Sequence, residues 1–308
     1  MTKTRRALRE LAAGRGVTVE VPATSANLGP GFDCFGLALD WRERIELVAL
    51  ESGFVIEVSG EGAEEIPRDE SHLIIRSALV GLADLGVRAD GLRLSGHNTI
   101  PHARGLGSSS AAIVAGLVAA VGLAGVEVDR GWLLRHATAI EGHPDNVAAA
   151  IYGGFVLAYE GPGGVTVAQG RLDPTVGVAV LVPDFPGATA AARGLLPASV
   201  PHVEAAANSG RAALLVHALA TEPDRLHDAT RDWLHQNYRQ PAMPRSYELM
   251  TSLRAQGFAA VVSGAGPALL VLGRADQLAT LAGFRAPGFH LRRSAVGQPA
   301  SLADADLS

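Results

Sequence analysis

Only one cysteine, Cys34, occurs in the 308 residues. Such a chain forms no internal disulfide and builds no cysteine-rich metal site, so a reducing, cytoplasmic setting is expected. Aromatic side chains are scarce at 5%, which argues against a platform of stacked rings for nucleic-acid bases. Positive charge is also in deficit: 26 Lys and Arg stand against 31 Asp and Glu, a net charge of −5. A surface that neutralises many phosphates should be basic, so no nucleic-acid partner is expected. The longest apolar run, Ala111 to Val126, is interrupted by glycines. It falls short of the roughly 18 residues needed to span a bilayer, and no membrane role is expected. The N-terminal stretch carries Lys3, Arg5, Arg6, Arg9 and Arg15 without an apolar segment of the secretory kind, and reads as a polar, disordered extension.

What the chain does have is apolar mass and turns. Hydrophobic residues make up 48% and charged residues 19%, a globular composition long enough for two domains of ordinary size. Glycine (36) and proline (17) together exceed their usual share, so many turns are implied. No repeat or low-complexity tract is found.

Val17 to Val21, Arg44 to Val48 and Phe54 to Val58 alternate apolar and polar residues, as half-buried strands do. The acidic stretch 61 to 70, with Pro67, reads as an exposed loop before a helix beginning near Ser71. From Ser108 the alanine-rich run lacks alternation and predicts a buried helix, with serines suited to its N-cap. Further helices are predicted from Asp129 to Ile140, from near Pro144, and over 201–219 and 244–255. Strands are predicted over Phe155 to Tyr159, Val176 to Val182, Phe258 to Val262 and Ala268 to Leu272. The irregular order of strands and helices points to α+β. A boundary is expected in the glycine-rich region between about 155 and 175, dividing an extension (1–16) and domains 17–165 and 166–308.

Three segments carry chemistry. In Pro101 to Ala112, PHARGLGSSSAA, a glycine-rich loop leads into a helix. Free backbone N–H groups at a helix N-terminus and glycines that allow close approach make a phosphate cradle, and the hydroxyls of Ser108, Ser109 and Ser110 suit phosphate oxygens or Mg²⁺. An ordinary capped helix after a turn has the same local pattern. The lysine of a Walker-type loop is absent after Gly107. The second segment, Pro22 to Asp33, PATSANLGPGFD, either presents Asn27 and Asp33 to a small polar ligand or forms a tight structural turn. The third, Glu141 to Asn146, EGHPDN, offers Glu141 as a Mg²⁺ ligand, His143 as a substrate contact or proton carrier, and Asp145 to orient or deprotonate a hydroxyl; the alternative is a capping turn. Cys34 reads as a packing residue, and His102 as a surface residue. The ten histidines lack the paired spacing of a zinc site. Gly264 and Gly266 read as a turn between two buried strands.

Together these segments resemble the GHMP kinase superfamily and, within it, the homoserine kinase family. PATSANLGPGFDCFGLALD is similar to that family's opening, PHARGLGSSSAA to the superfamily phosphate loop, and EGHPDN to the next block. ATAAARGLLP (188–197), HQNYR (235–239) and VVSGAGPALL (261–270) extend the resemblance, so that ordered matches run over about 17–297.

The resemblance implies a two-domain α+β GHMP kinase fold. Its N-terminal ATP-binding domain has a mixed sheet related to a ribosomal-protein fold, its C-terminal domain is ferredoxin-like, and the site lies in the cleft between them. It implies transfer of the γ-phosphoryl group of MgATP to the side-chain hydroxyl of L-homoserine in threonine biosynthesis, by a homodimer. Pro101, Arg104, Gly105, Leu106, Gly107, Ser108, Ser109 and Ser110 would hold ATP, with Ser109 and Glu141 on Mg²⁺. Asn27, Asp33 and His143 would line the amino-acid pocket, Arg193 and Arg239 would hold the substrate carboxylate, and Asp145 and Thr189 would lie at the transferred group. An acidic residue common in relatives two positions before Glu141 is here Ala139. Another GHMP small-molecule kinase, or a silent nucleotide-binding relative, is the alternative.

Overall fold

A computed structural model describes residues 8–127, 129–187 and 189–303, with the side chains of 189 and 190 outside that description. Strand β1 (Arg9–Glu10) pairs in parallel with β5 (Val87–Arg88), and the Arg9 guanidinium donates to the Ala124 carbonyl at 2.8 Å. Residues 8–16 are therefore anchored, against the expectation of a disordered extension. The Ala124 carbonyl and the two-residue strand β5 supply the partners.

The larger sheet is built on β3 (Phe35–Leu50), whose 16 residues exceed the length of any one partner. Antiparallel β2 (Gly16–Ala26) covers one edge. Two strands share the other: β7 (Phe155–Gly161) pairs with Phe35 to Leu37, and β6 (Gly91–Asn98) with Arg44 to Leu50. β4 (Gly53–Gly60) adds in parallel to β6, and β13 (Ser301–Ala303) returns from the C-terminus onto β2. The glycine-rich stretch expected to separate two domains is instead a hairpin strand, β8 (Gly164–Gly170), antiparallel to β7. The expected division at 165/166 falls inside it; alternation of Val165 and Val167 with polar residues is strand chemistry that the glycines masked.

Helix α1 (Leu73–Asp84) begins two residues after Ser71, because the His72 imidazole accepts from the Ile74 N–H and caps it. Helix α2 (Ser108–Ala124) is apolar on every face and lies buried among β2, α1, α3 (Arg130–Glu141) and α4 (Asp145–Tyr152). A Cβ at Gly116 would overlap the Ile74 carbonyl, so this glycine sets how closely α1 and α2 approach.

The second sheet, ordered β10 (Ala259–Val262), β11 (Leu269–Arg274), β9 (Val176–Pro183), β12 (Phe289–Ser294), is fully antiparallel. Its inner strands are apolar without alternation because both faces are covered. Val178 and Val180 pack into the larger core with Leu215 and Leu219 of α6 (His202–Ala220), while Ala179 and Leu181 face Met250 and Leu253 of α9 (Pro244–Ala255). Short helices α5 (Thr189–Gly194), α7 (Leu226–Ala229) and α8 (Gln236–Arg239) lie between α6, β9 and α9 in sequence. Among the described residues, no helix is long and apolar enough to cross a membrane.

Candidate active site

The three chemistry-bearing segments converge on one polar cavity of about 360 Å³, together with the turn after β10 and residues of α5 and α8. Its lining includes Asn27, Asp33, Ser109, Asp145, Arg193 and Arg239.

The loop after β2 is held open by its own backbone. Asn27, Leu28 and Asp33 have positive φ values of 68°, 50° and 52°, a region that Asn and Asp tolerate better than other side chains. Asn27 accepts from the Asp33 N–H at 3.0 Å and donates to the Gly264 carbonyl at 2.9 Å. It therefore acts first as a staple that presents Asp33. The Asp33 carboxylate is gripped by both terminal nitrogens of Arg193, at 2.7 and 3.1 Å.

The glycine-rich loop before α2 departs from expectation in its cap. Gly107, in the left-handed region, occupies the N-cap of α2 and makes no side-chain capping bond. The serine hydroxyls go elsewhere: Ser109 and Ser110 both donate to Glu141 Oε1, at 2.6 and 2.8 Å. The first intrahelical bond is Ala111 N–H to the Gly107 carbonyl, so the N–H groups of Ser108, Ser109 and Ser110 have no backbone acceptor within the helix. Gly105 is pressed against the third motif, whose Ser263 hydroxyl donates to its carbonyl at 2.6 Å. Leu106 and Pro101 are buried supports of the loop. Arg104 does not line the cavity; it donates to the carbonyls of His102, Pro183 and Asp184 and so ties the loop to the end of β9.

Glu141 ends α3, and Ala139, two residues earlier, is exposed and lines no part of the cavity. Asp145 opens α4 and is 2% exposed. One oxygen, Oδ1, accepts the Asn146 N–H at 2.7 Å and pairs with His143 Nδ1 at 2.8 Å. Oδ2 has no hydrogen-bond donor among the described residues. The bond to Asp145 raises the His143 pKa, against the opposing effect of its burial. Asn146 in turn accepts from the Thr24 hydroxyl at 2.8 Å, which joins this block to β2.

Arg239 is 2% exposed. It donates to the Gly264 carbonyl at 3.0 Å, its Nε has no hydrogen-bond partner among the described residues, and burial lowers its pKa. The Arg239 and Arg193 guanidinium carbons lie 5.5 and 5.7 Å from the centre of the Phe32 ring. Thr189 begins α5, but its side chain lies outside the described residues. Cys34 is half-buried against the core; burial, then the charge of Asp145, pushes its thiol pKa up, as suits a packing residue.

A second cavity, about 220 Å³ and largely apolar, adjoins the first at Ser108 and Ser109. Ile66, Pro67, Leu73 and Ala112 are among its apolar walls, with Glu43, His72, Asn98 and His102 as polar points beside the two serines. Burial depresses the His72 pKa to about 4, so the ring is neutral and its capping Nδ1 leaves the proton on Nε2. Sequence reading missed this cavity, since residues 61 to 70 read as a solvated acidic loop; Ile66 beside Pro67 was the available signal. His102, expected at the surface, is half-buried and pairs with Asn98 at 3.3 Å.

Residues 72–154 match the family model described as the GHMP kinases N terminal domain. The chain is 52% identical to a homoserine kinase of Streptomyces coelicolor over 263 residues, covering 84% of this chain and 85% of that protein. It is 53% identical to a homoserine kinase of Streptomyces avermitilis over 275 residues, covering 87% and 90%. Its fold is similar to the crystal structure of a homoserine kinase from Cytophaga hutchinsonii, with a TM-score of 0.83 at 25% identity over 98% of this chain and 99% of that one.

Proposed function

The chain belongs to the homoserine kinase family of the GHMP kinases, and on that premise we propose how its two adjoining cavities phosphorylate the side-chain hydroxyl of L-homoserine with ATP. The observation that carries the reading is the uncapped N-terminus of α2, set between a polar cavity and an apolar one. A nucleotide has that division: a flat, largely apolar base at one end and a polyphosphate at the other. The base enters the cavity of Ile66, Pro67 and Leu73, and the phosphates meet the N–H groups of Ser108 to Ser110.

The amino acid enters the polar cavity. Its carboxylate is received by Arg239 and Arg193, whose planar forks bind both oxygens. Its ammonium group replaces Arg193 at Asp33. Asp145 Oδ2 then accepts the hydrogen bond of the side-chain hydroxyl and orients its oxygen toward the γ-phosphorus. The new P–O bond forms as the bond to the ADP oxygen breaks. An alcohol is a far weaker acid than a carboxylic acid, so Asp145 takes the proton late, once bond formation has acidified the hydroxyl. His143 holds Asp145 in place through Oδ1.

Glu141 and the Ser109 and Ser110 hydroxyls form a hard oxygen set at the phosphate loop that fits Mg²⁺. The ion bound there supplies neutralisation of polyphosphate charge. The division between domains is best drawn after β8, since that strand belongs to the larger sheet.

A coupled assay of ADP release tests the function. Homoserine-dependent turnover, without turnover on mevalonate or galactose, is expected; ATP binding with no turnover on any alcohol would favour a silent relative.

A further inference from the structure

We infer that His235 is a positioning residue for the amino-acid substrate, tying the Gly29 carbonyl of the loop after β2 to the Arg239 guanidinium and so fixing where the substrate carboxylate is received. This rests on the role assigned above to Arg239.

His235 is fully buried. Its Nε2 lies 2.8 Å from the Gly29 carbonyl oxygen. A carbonyl only accepts, so Nε2 carries the proton. In the neutral ring Nδ1 is then an acceptor, and Arg239 Nη1 donates to it at 3.2 Å. The two residues stand four apart, with the Arg239 N–H bonded to the His235 carbonyl at 3.1 Å, so one turn of α8 places both side chains on one face. Besides Arg239, two carboxylates act on His235 through space, Asp33 and the nearer Asp232, and Asp232 is spent on the backbone: it accepts the N–H groups of Leu234, His235 and Gln236 at 2.8, 3.1 and 2.7 Å. Its Oδ2 is 3.6 Å from His235 Nε2, beyond a good hydrogen bond. Burial lowers the His235 pKa, in keeping with the neutral ring.

The same imidazole stacks on Phe32, with centroids 5.3 Å apart and planes inclined by 28°. The hydrogen-bond partners of Arg239 are a carbonyl and a neutral imidazole, so no carboxylate bonds it directly among the described residues. A guanidinium held by neutral acceptors is oriented while its charge stays available to an incoming anion. Gly29 and Arg239 are far apart in the chain, the His235–Gly29 bond alone spanning 206 positions, and His235 is the side chain that bonds both.

Steady-state kinetics of three variants test this. His235→Phe keeps the ring and removes both nitrogens; homoserine KM should rise about tenfold or more, as for loss of a hydrogen bond to a charged group, with ATP KM within about twofold. His235→Asn keeps an acceptor near the Nδ1 position, whereas His235→Gln keeps a donor nearer Nε2. If the role runs through Arg239, Asn restores homoserine KM better than Gln, whatever their relative thermal midpoints. A purely structural role would instead make KM follow stability. In an Arg239→Met background, His235→Phe should add no further rise in homoserine KM. Unchanged homoserine KM in His235→Phe, equal KM in the Asn and Gln variants, or a parallel rise in ATP KM each overturn the inference. Should the Phe variant not fold, the Asn and Gln pair decides. Absence of homoserine-dependent turnover in the unsubstituted enzyme would overturn the functional assignment instead.

Discussion

A single methyl group at Gly107 should disable the phosphate loop through β2 and not through the nucleotide alone. Gly107 has φ +66°, and a Cβ there would overlap the Thr24 hydroxyl oxygen. Holding a residue with a side chain in this region costs about 1–2 kcal/mol. Thr24 is fully buried and donates to Asn146 at 2.8 Å; to clear the methyl it must turn, which leaves the Asn146 oxygen unpaired at about 1–3 kcal/mol. Gly107→Ala is therefore expected to lose about 2–5 kcal/mol, read as a fall in the urea midpoint at unchanged m-value. ATP KM should rise more than homoserine KM, because the N–H groups of Ser108 to Ser110 follow directly. The Thr24→Ala substitution supplies the control. It removes the overlapped oxygen and the bond to Asn146 together, so the double variant should fall short of the summed losses by about 1 kcal/mol or more. A Gly107→Ala enzyme within about 0.5 kcal/mol of the parent, or strict additivity with Thr24→Ala, would refute the coupling.

Two further outcomes follow from the same geometry. Asp145→Asn keeps an acceptor at Oδ1 but puts an amide where Oδ2 meets the hydroxyl. It should lower kcat by about 10²-fold or more with a smaller change in homoserine KM, and near-normal values of both would remove Asp145 from the chemistry. The depressed His72 pKa has a signed consequence for stability. The unfolded chain takes up a proton near pH 6.5 and the folded one only near pH 4, so stability falls as pH drops through that window. His72→Asn, which retains a capping acceptor, should flatten that dependence in urea titrations at pH 4 to 7; an unchanged slope would place the proton uptake elsewhere.

Motif chemistry was legible where it is local. The three polar segments could be singled out from residue type because each is short and its backbone is shaped by its own Gly, Pro, Asn and Asp, but only their ordered combination, through the family resemblance, separated a site from capped turns. What escaped depends on partners far along the chain. Ser108 looked like an N-cap, yet Glu141 draws the next two hydroxyls from 32 and 31 residues away and leaves the cap to Gly107. The hairpin of β8 was hidden by glycines at its ends, although Val165 and Val167 alternate as a half-buried strand should. Strand β9 reads as one apolar run; only the tertiary arrangement shows that Val178 and Val180 serve one core while Ala179 and Leu181 serve another. His235 was visible within HQNYR, but its bond to Gly29 spans 206 positions.

The distribution of positive charge explains how an acidic chain accommodates an anionic reaction. Lys3 is its one lysine, so the cations of the site are arginines with fixed planar forks. The two differ in what holds them. Arg193 is bidentate on Asp33, but side chains 47% and 34% exposed make that pair weakly bound, since solvent-exposed ion pairs contribute about 0–1 kcal/mol. Arg239 is buried and bonded only to neutral acceptors. Under the proposed function an amino acid opens the weak pair at little cost, because its ammonium takes over Asp33 while its carboxylate takes up both guanidinium groups. A ligand with only one of those charges leaves either Asp33 or Arg239 without its counterpart. Selection for a zwitterion thus comes less from the strength of any one contact than from the combination of an exposed, exchangeable ion pair with a buried arginine that no carboxylate bonds directly.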